Sequence, residues 1–288
     1  MIKLFVRMAP QYQQMPRNFY IDPLWRVAAG WLYFIKQVLS IKRNFVRDML
    51  KLRSLKDIYR GRECIIIGGG PGSTTLKDYQ YQALRDRGVK VFVLNNFWLS
   101  PLAKFITPDF IVISDPGYSK YYGNDYRGLR DYLNANSLIQ VISPTNNEWN
   151  FANTIRINGL SATGLWNGIS PLLPSTTIQG VFFDALKTAK HLGFSKIYVT
   201  GVEHTHYFNH RHLGAGKLVI DVRGLHSYDD SESIPVIPYL TRGMSDVLYA
   251  QAILLRDLKK ISKKMDILNV NLNDFTNDSL PMACLLPR

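Results

Sequence analysis

The sequence has few of the features that define several classes of protein. Its 288 residues include only two cysteines, Cys64 and Cys284, too few for a disulfide framework or a four-cysteine zinc site. The longest uncharged stretches near the N-terminus, Met8–Pro16 and Val27–Ile35, have nine residues each, whereas a transmembrane helix needs about 20 apolar residues. No apolar core followed by a small-residue cleavage site suggests a secretory signal. These absences predict a cytoplasmic protein.

Acidic residues are scarce in the first 62 residues. This segment has 13 Lys and Arg residues against three Asp residues, so its surplus of ten positive charges makes up most of the chain's net charge of +13. Apolar residues recur at helical spacings from Leu24 to Leu52, and basic residues occupy many of the positions between them. We therefore expect residues 1–60 to form a basic amphipathic helical extension that associates peripherally with the anionic inner-membrane surface. The same pattern also fits a helix packed on the protein's own core. Nucleic acid is not an expected partner, because the aromatic side chains lie on the apolar face.

From Gly61 onward, short apolar runs alternate with helical patterns. The runs that predict strands begin at Glu63, Lys90, Asp109, Leu138, Thr154, Lys196 and Met265, and helical patterns cover Gly180–Leu192 and Ser245–Lys264. This alternation predicts an α/β fold, a Rossmann-like, mainly parallel, doubly wound sheet that forms one catalytic domain over residues 61–288. Residues 209–241 are rich in Gly, His, Asp, Ser and Pro and are too long for an ordinary connection. We expect them to form a long loop within a lid at about residues 205–243.

The first strand is followed by a glycine loop of sequence Gly-Gly-Gly-Pro-Gly-Ser, from Gly68 to Ser73. Glycines let a backbone approach a phosphate, and a following helix presents free N–H groups to it. The loop begins like a dinucleotide-binding fingerprint, but Ser73 stands at the third glycine position and no acidic residue follows the second strand. A Walker loop is excluded because no Gly-Lys-Ser/Thr follows. The loop therefore predicts phosphate binding, with a tight structural turn as the alternative.

Polar residues also follow the other predicted strands, where ligands bind in this fold. Asn95 and Asn96 follow the second strand, and their amides suit a ribose or the edge of a nucleobase. Asp115, which follows the third, could bind a sugar hydroxyl, and Gln179-Gly180 begins a helix at a position suited to an anion. Turn-forming Asn, a capping Asp before Pro116 and an ordinary helix start are the respective alternatives.

Two observations bear on metals and on proton transfer. The chain contains no Asp-x-Asp pair, which enzymes that hold a nucleotide diphosphate through a divalent cation usually need, so we expect a metal-independent reaction without a cofactor. His204, His206, His210 and His212 match no standard zinc spacing, and phosphate, metal or no ligand stays open for them. A further histidine, His226, lies in the long loop, where a general base could reach an acceptor hydroxyl; a solvent-exposed loop histidine is the alternative.

Taken in order, the strand-end motifs over roughly residues 61–270 resemble the bacterial sialyltransferases that decorate lipooligosaccharide. Here the motifs are Gly-Gly-Gly-Pro-Gly-Ser, Asn-Asn-Phe-Trp, Asp-Pro, Gly-Val-Phe and Thr-Gly-Val-Glu. Those enzymes carry Gly-Asn-Gly-Pro-Ser, Cys-Asn-Gln-Phe-Tyr, Asn-Pro, Ser-Gly-Val-Tyr and Gly-Ile-Asp-Phe-Tyr. The resemblance implies an inverting glycosyltransferase that moves sialic acid or a related nonulosonic acid from a CMP-linked donor to a glycan or glycolipid acceptor.

The resemblance also implies roles for individual residues. Nucleotide contacts fall on Gly68, Gly70, Pro71, Gly72, Ser73, Asn95, Asn96, Gln179 and Gly180, and contacts to the donor sugar or phosphate fall on Asp115, Glu203, Thr205 and Tyr207. The family's catalytic histidine falls on His226. Thr205 stands where the family has its first phosphate-binding tyrosine, and the loop after His226 is longer than in the family.

Two other interpretations stay open. Hydroxymethylpterin pyrophosphokinase-like proteins share the first loop and the Asp-Pro turn, and a non-catalytic nucleotide-binding module would use the same loop. The sequence also leaves open whether the chain forms a homo-oligomer.

Overall fold

The structure is a computed structural model that describes residues 44–75, 77–114, 125–145, 151–158, 170–172, 180–202, 210–212, 218–220, 237–239 and 261–270, with the single positions 35, 39, 255, 258 and 259. Its main element is a seven-stranded sheet in the order β10-β6-β1-β2-β3-β4-β5. The strands are β1 Glu63–Ile67, β2 Lys90–Leu94, β3 Phe110–Val112, β4 Gln140–Pro144, β5 Thr154–Ile157, β6 Lys196–Thr200 and β10 Asp266–Asn269. Every pairing between them is parallel.

Both faces of this sheet are covered, which explains why its strands are almost continuously apolar. Successive side chains of a strand point to opposite faces. Cys64 and Ile66 of β1 accordingly belong to one core cluster, while Ile65 and Ile67 belong to the other. All four side chains are fully buried.

Four helices have described bounds: α1 Phe45–Ser54, α2 Asp78–Asp86, α3 Asp125–Ala135 and α4 Val181–His191. Tyr81 and Leu84 of α2, with Leu129 and Leu133 of α3, pack on one face of the sheet. The other face is covered by α1 and α4, together with Leu258 and Ile261 from the helical residues before β10. Short 3-10 helices follow β1 and β2, at Pro71–Thr75, Phe97–Leu99 and Pro101–Lys104.

The predicted fold class, a Rossmann-like doubly wound α/β sheet, is therefore confirmed. The predicted bounds of β1, β2, β5 and β6 agree with the structure, because each is a short apolar run closed by a polar or glycine residue. The fourth strand begins at Gln140 and not at Leu138, since Leu138 lies in the turn that follows α3 and is 91% exposed. The second half of the glycine loop belongs to the 3-10 helix Pro71–Thr75, which precedes α2.

The described end of the predicted N-terminal extension packs on the body of the protein. Leu52 of α1 is fully buried in the core, with Met49 packed beside it. The backbone continues this contact, because the Leu52 carbonyl oxygen lies 2.8 Å from His191 Nε2 and the Tyr59 amide donates to the Leu192 carbonyl over 2.8 Å. The Tyr59 ring also stacks on Phe194, with ring centroids 5.0 Å apart. From Asn44 onward, the predicted apolar face is thus turned to the core.

The stretch predicted as a long loop, residues 209–241, contains regular structure, so that expectation was wrong for part of it. Strands β7 His210–His212, β8 Leu218–Ile220 and β9 Ile237–Tyr239 form an antiparallel sheet in the order β7-β8-β9. In this sheet Arg211 pairs with Val219, and Val219 pairs with Pro238. The apolar, β-branched run at 218–220 after the glycines 214 and 216 is the sequence signal that could have indicated a hairpin.

Candidate functional site

The order of the strands locates a crevice between β1 and β6. From β1 the chain continues through β2, β3, β4 and β5 toward one edge of the sheet, and β6 then returns to the opposite side of β1. In open parallel α/β sheets, ligands bind outside the carboxyl ends of the strands at such a reversal of strand order. The loop that begins at Gly68 and the loop that begins at Gly201 both start there.

These two loops touch each other at the backbone. The Gly68 amide donates to the Thr200 carbonyl over 2.8 Å, and the Gly70 amide donates to the Gly201 carbonyl over 2.9 Å. A Cβ atom on Gly68 would lie 2.0 Å from the Gly201 carbonyl oxygen. Glycine is therefore required at 68 by the packing of one loop on the other, whatever ligand the loop binds.

Hydrogen bonds inside the glycine loop hold its shape. The buried Ser73 hydroxyl donates to the Gly70 carbonyl over 2.8 Å, and the Thr75 hydroxyl donates to the Gly72 carbonyl over 2.7 Å. Gly72 also accepts from the Thr200 hydroxyl of β6 over 3.3 Å. Pro71, in contrast, is exposed at the start of the 3-10 helix. These contacts make Ser73 and Gly72 parts of the loop's own framework, and their contact with a nucleotide stays a prediction.

Two buried polar atoms lie at the ends of the neighbouring strands β2 and β3. They are Asn95 Oδ1 and Ser114 Oγ, and neither has a hydrogen-bond partner in the part of the chain that the structure describes. Leu94 pairs with Val112, and the backbone amide of Asn95 donates to the Val112 carbonyl over 2.9 Å. Paired strands lie about 4.8 Å apart, and the register places Ser114 one residue beyond the position opposite Asn95, so both residues lie at the carboxyl edge of the sheet. Buried polar atoms are nearly always hydrogen-bonded, and an unpaired one costs about 1–3 kcal/mol. A ligand that supplies the missing hydrogen bonds would remove this cost.

The residues that follow Asn95 are structural. Asn96 and Phe97 are buried, and Trp98 packs against α3, where a Cβ atom on Gly128 would lie 2.5 Å from the tip of the indole ring. The aromatic half of the Asn-Asn-Phe-Trp motif thus anchors the end of β2 to the neighbouring helix. Asn95 itself has φ +44°, a left-handed conformation that Asn tolerates better than most residues.

The two ends of the sheet differ in charge. At the amino ends, Asp109 binds Arg85 over 2.6 Å and Lys90 over 2.7 Å, and Glu63 binds Arg87 over 2.6 Å. Among the described residues, the buried polar side chains at the carboxyl ends are uncharged, and each of these residues already has an interaction partner within the protein: Asn96, Ser143, Asn158, Thr200 and Asn269. Among the described buried polar atoms, Asn95 Oδ1 and Ser114 Oγ are the ones left without a hydrogen bond at this edge.

The structure brings only some of the predicted site residues together. Gly68, Gly70, Pro71, Gly72 and Ser73 form the loop beside β6, and Asn95 lies at the end of the adjacent strand β2. Gly180 precedes α4 in an extended conformation, and its carbonyl accepts from the Phe183 amide over 2.9 Å. Predicted residues outside the described part of the chain are Asp115, Gln179, Glu203, Thr205, Tyr207 and His226. Of the two unpaired atoms, the Ser114 hydroxyl was missed from the sequence, although Ser114 directly precedes the predicted Asp115.

Burial keeps two ionisable side chains of the protein neutral, Cys64 near the amino end of β1 and Tyr132 near the C-terminal end of α3. Burial raises the pKa of the Cys64 thiol well above its ordinary value, and the nearby Glu63 carboxylate adds to the shift. Burial also raises the pKa of Tyr132 on α3 to about 12, with a smaller contribution from Tyr81. A buried neutral thiol is a poor nucleophile, so Cys64 is a packing residue.

Two absences hold for the described residues. Nowhere among them do three or more His, Cys, Asp or Glu side chains group so that they could bind a metal ion. Within the same part of the chain, no helix has both the length and the apolar character needed to cross a bilayer.

The comparison with known proteins gives only a distant structural likeness. No family model and no curated protein matches the sequence. Among solved structures, the MAf glycosyltransferase from Magnetospirillum magneticum AMB-1 is similar, with a TM-score of 0.42 and 16% identity. The match covers 91% of this chain but only 41% of that chain. A TM-score of this size is below that expected of two proteins with one fold, and the function is therefore inferred from this chain's own residues.

Proposed function

We propose that the protein is a glycosyltransferase that binds a CMP-linked sugar at the carboxyl edge of its sheet. The observation that carries this proposal is the pair of unpaired buried atoms, Asn95 Oδ1 and Ser114 Oγ. An amide oxygen can only accept a hydrogen bond, so its ligand must bring a donor, and both a ribose hydroxyl and the amino group of cytosine are donors. The hydroxyl of Ser114 can donate or accept, which suits a second polar group of the same nucleoside.

The glycine loop would lie beside the phosphate. A nucleoside monophosphate leaving group carries less charge than a diphosphate, so fewer positive groups are needed to neutralise it and a divalent cation is not required. The sugar is sialic acid or a related nonulosonic acid, as the sequence motifs imply, and the acceptor is a surface glycan or glycolipid. Asp115, Glu203, Thr205 and Tyr207 are the residues proposed to contact the sugar or the phosphate.

The proposed reaction is a single inverting displacement. The acceptor oxygen forms a bond to the anomeric carbon while the bond from that carbon to the phosphate oxygen breaks, and the electron pair leaves with CMP. His226 takes the proton of the acceptor hydroxyl as the general base.

The first prediction concerns the nucleotide. CMP should raise the melting temperature without any divalent ion, because a ligand that binds only the folded state stabilises it, by about 2.7 kcal/mol at a hundredfold excess over Kd. The measurement is thermal unfolding, with isothermal calorimetry, using CMP, UDP, GDP and ATP with and without Mg²⁺ or EDTA. CMP and UMP should also be compared, because only cytosine carries the amino group. Equal binding of the two would indicate that Asn95 Oδ1 contacts the ribose and not the base.

Three outcomes would contradict the proposal. Binding of CMP that EDTA abolishes would show that a metal is needed. Tighter binding of UDP or GDP than of CMP would assign another donor, and binding of ATP only with Mg²⁺ would favour a pyrophosphokinase-like enzyme.

A further inference from the structure

The outer side of α1 exposes an apolar stripe that the rest of the described protein does not cover. While Met49 and Leu52 face the core, Val46 is 63% exposed and Leu50 is 60% exposed. Residues four apart lie on the same side of a helix, so these two side chains form one patch. Ile35 and Leu39 are also helical, four apart and exposed.

Basic side chains surround this patch. Arg47, Lys51 and Arg53 of α1 are all exposed. The Arg47 guanidinium lies 3.8 Å from the Asp48 carboxylate, and Lys51 Nζ donates to the Thr154 carbonyl over 3.4 Å. Both contacts are long, and both basic side chains are exposed to solvent. Exposed ion pairs contribute little, so the local field stays positive. The charge agrees with the segment as a whole, which holds 13 basic and three acidic residues in its first 62 positions.

We propose that the outer face of α1, which comprises Val46, Leu50 and the flanking Arg47, Lys51 and Arg53, docks on an anionic membrane surface. Apolar side chains between basic residues match a bilayer interface, in which aliphatic groups enter below the level of the anionic headgroups. This face differs from the one that the sequence pattern indicates, because the core uses Met49 and Leu52. The proposal is independent of the proposed reaction.

The charges favour a membrane over a second copy of the chain. In a symmetric dimer built on this face, the same patch of both copies would meet. Arg47, Lys51 and Arg53 would then face the same basic residues of the other copy, and like charges repel. An anionic bilayer offers opposite charge and an apolar layer together.

Sedimentation of the full-length protein with vesicles tests this proposal. Vesicles of phosphatidylcholine with one quarter phosphatidylglycerol should bind the protein, and vesicles of phosphatidylcholine alone should bind it weakly. Replacing Val46 and Leu50 together by Glu should weaken binding at least tenfold, because two apolar contacts are lost and two negative charges face the headgroups. Arg53→Gln should weaken it about fivefold at low salt, equivalent to ~1 kcal/mol for one basic residue near an anionic leaflet.

Tyr79→Glu is the matched control, since Tyr79 is 64% exposed on α2, which packs on the opposite face of the sheet from α1. It also places a negative charge at an exposed hydrophobic position and should leave vesicle binding unaltered. The melting temperature and CMP binding are measured for every variant, and the pair Val46→Ala and Leu50→Ala replaces the Glu pair if that variant does not fold. Failure of the proposed reaction would appear in CMP binding alone.

Unchanged binding of the Val46 and Leu50 variant to anionic vesicles would overturn the proposal. So would a wild-type dimer in light scattering that this variant converts to a monomer, because the patch would then be an interface between copies.

Discussion

Asn95 has two properties that need separate explanations. Its φ of +44° explains why Asn is suitable there, because Asn accepts the left-handed conformation. Conformation does not explain the buried Oδ1 atom, which has no partner among the described residues, since a glycine would satisfy the backbone without burying any polar atom. The side chain therefore has a cost in the free protein that a bound ligand can offset.

At this residue, Asn95→Gly should weaken CMP binding roughly tenfold or more. The stability of the free protein should not fall, because the substitution removes no hydrogen bond of the side-chain oxygen. Glycine keeps the left-handed backbone, and Oδ1 has no partner to lose in the described protein. Ser114→Ala should act in the same direction. Calorimetric titration with CMP and urea unfolding in its absence measure the two effects.

Asn136→Ala is the matched control for these variants. The side-chain amide of Asn136 donates to the Tyr132 carbonyl over 2.8 Å at the end of α3. Loss of this hydrogen bond should lower the free energy of unfolding by about 1 kcal/mol and leave CMP affinity unchanged. If Asn95→Gly behaved like Asn136→Ala, the Asn95 side chain would be structural and the site would lie elsewhere.

At the scale of elements, the glycine loop and the end of β6 act as one unit. Gly68 meets the Gly201 carbonyl, and Gly201 in turn adopts φ +66° and lies against Ser73. The loop that should approach a phosphate is therefore held by its neighbour before any ligand arrives. This explains why a glycine-rich sequence can form an ordered loop at the reversal of strand order.

Gly68→Ala should lower the free energy of unfolding by about 3 kcal/mol or more, since its Cβ atom would meet backbone that cannot move aside easily. Gly180→Ala is the comparison, because its Cβ atom would make only ordinary contact with Phe183 at 3.8 Å. Urea unfolding measures both. Similar small effects of the two substitutions would mean that the two loops are not packed as described.

At the scale of the whole molecule, α1 and the turns after it belong structurally to the Rossmann-like body. Leu52 is fully buried, and the residues from Asp57 to Arg62 exchange backbone hydrogen bonds with the residues from His191 to Ser195. The boundary predicted at residue 60 is thus crossed by several backbone hydrogen bonds.

Deleting residues 1–43 should leave a folded body that binds CMP, whereas deleting residues 1–60 should destabilise it strongly. The longer deletion removes Leu52, whose burial alone is worth about 1.5–3 kcal/mol, and it removes Tyr59 from its stack on Phe194. Such losses are large against a total stability of about 5–15 kcal/mol. Thermal unfolding of the two truncated proteins measures the difference.

An equally stable protein without residues 1–60 would contradict this prediction. It would show that the contacts of α1 add nothing to the stability of the sheet, and that the extension is separable where the sequence pattern places its end.

The sequence by itself determined the layers of this protein. Short apolar runs such as Glu63–Ile67 and Lys90–Leu94 are local signals, because a strand buried on both faces needs nearly continuous apolar residues. Their alternation with helices implies parallel pairing, and parallel pairing brings the glycine loop and Asn95 to one edge. The location of the candidate site followed from these local patterns.

Only the tertiary structure decided which contacts those residues make. The helical pattern indicates an apolar face with Met49 and Leu52, but only the packing shows that this face meets the protein's own core and that Val46 and Leu50 stay exposed. The requirement for glycine at 68 comes from Gly201, and the small sheet of β7, β8 and β9 comes from pairing between separated segments. Whether Asn95 Oδ1 and Ser114 Oγ find partners depends likewise on every residue that surrounds them. Such contacts join residues far apart in the chain, and no local pattern encodes them.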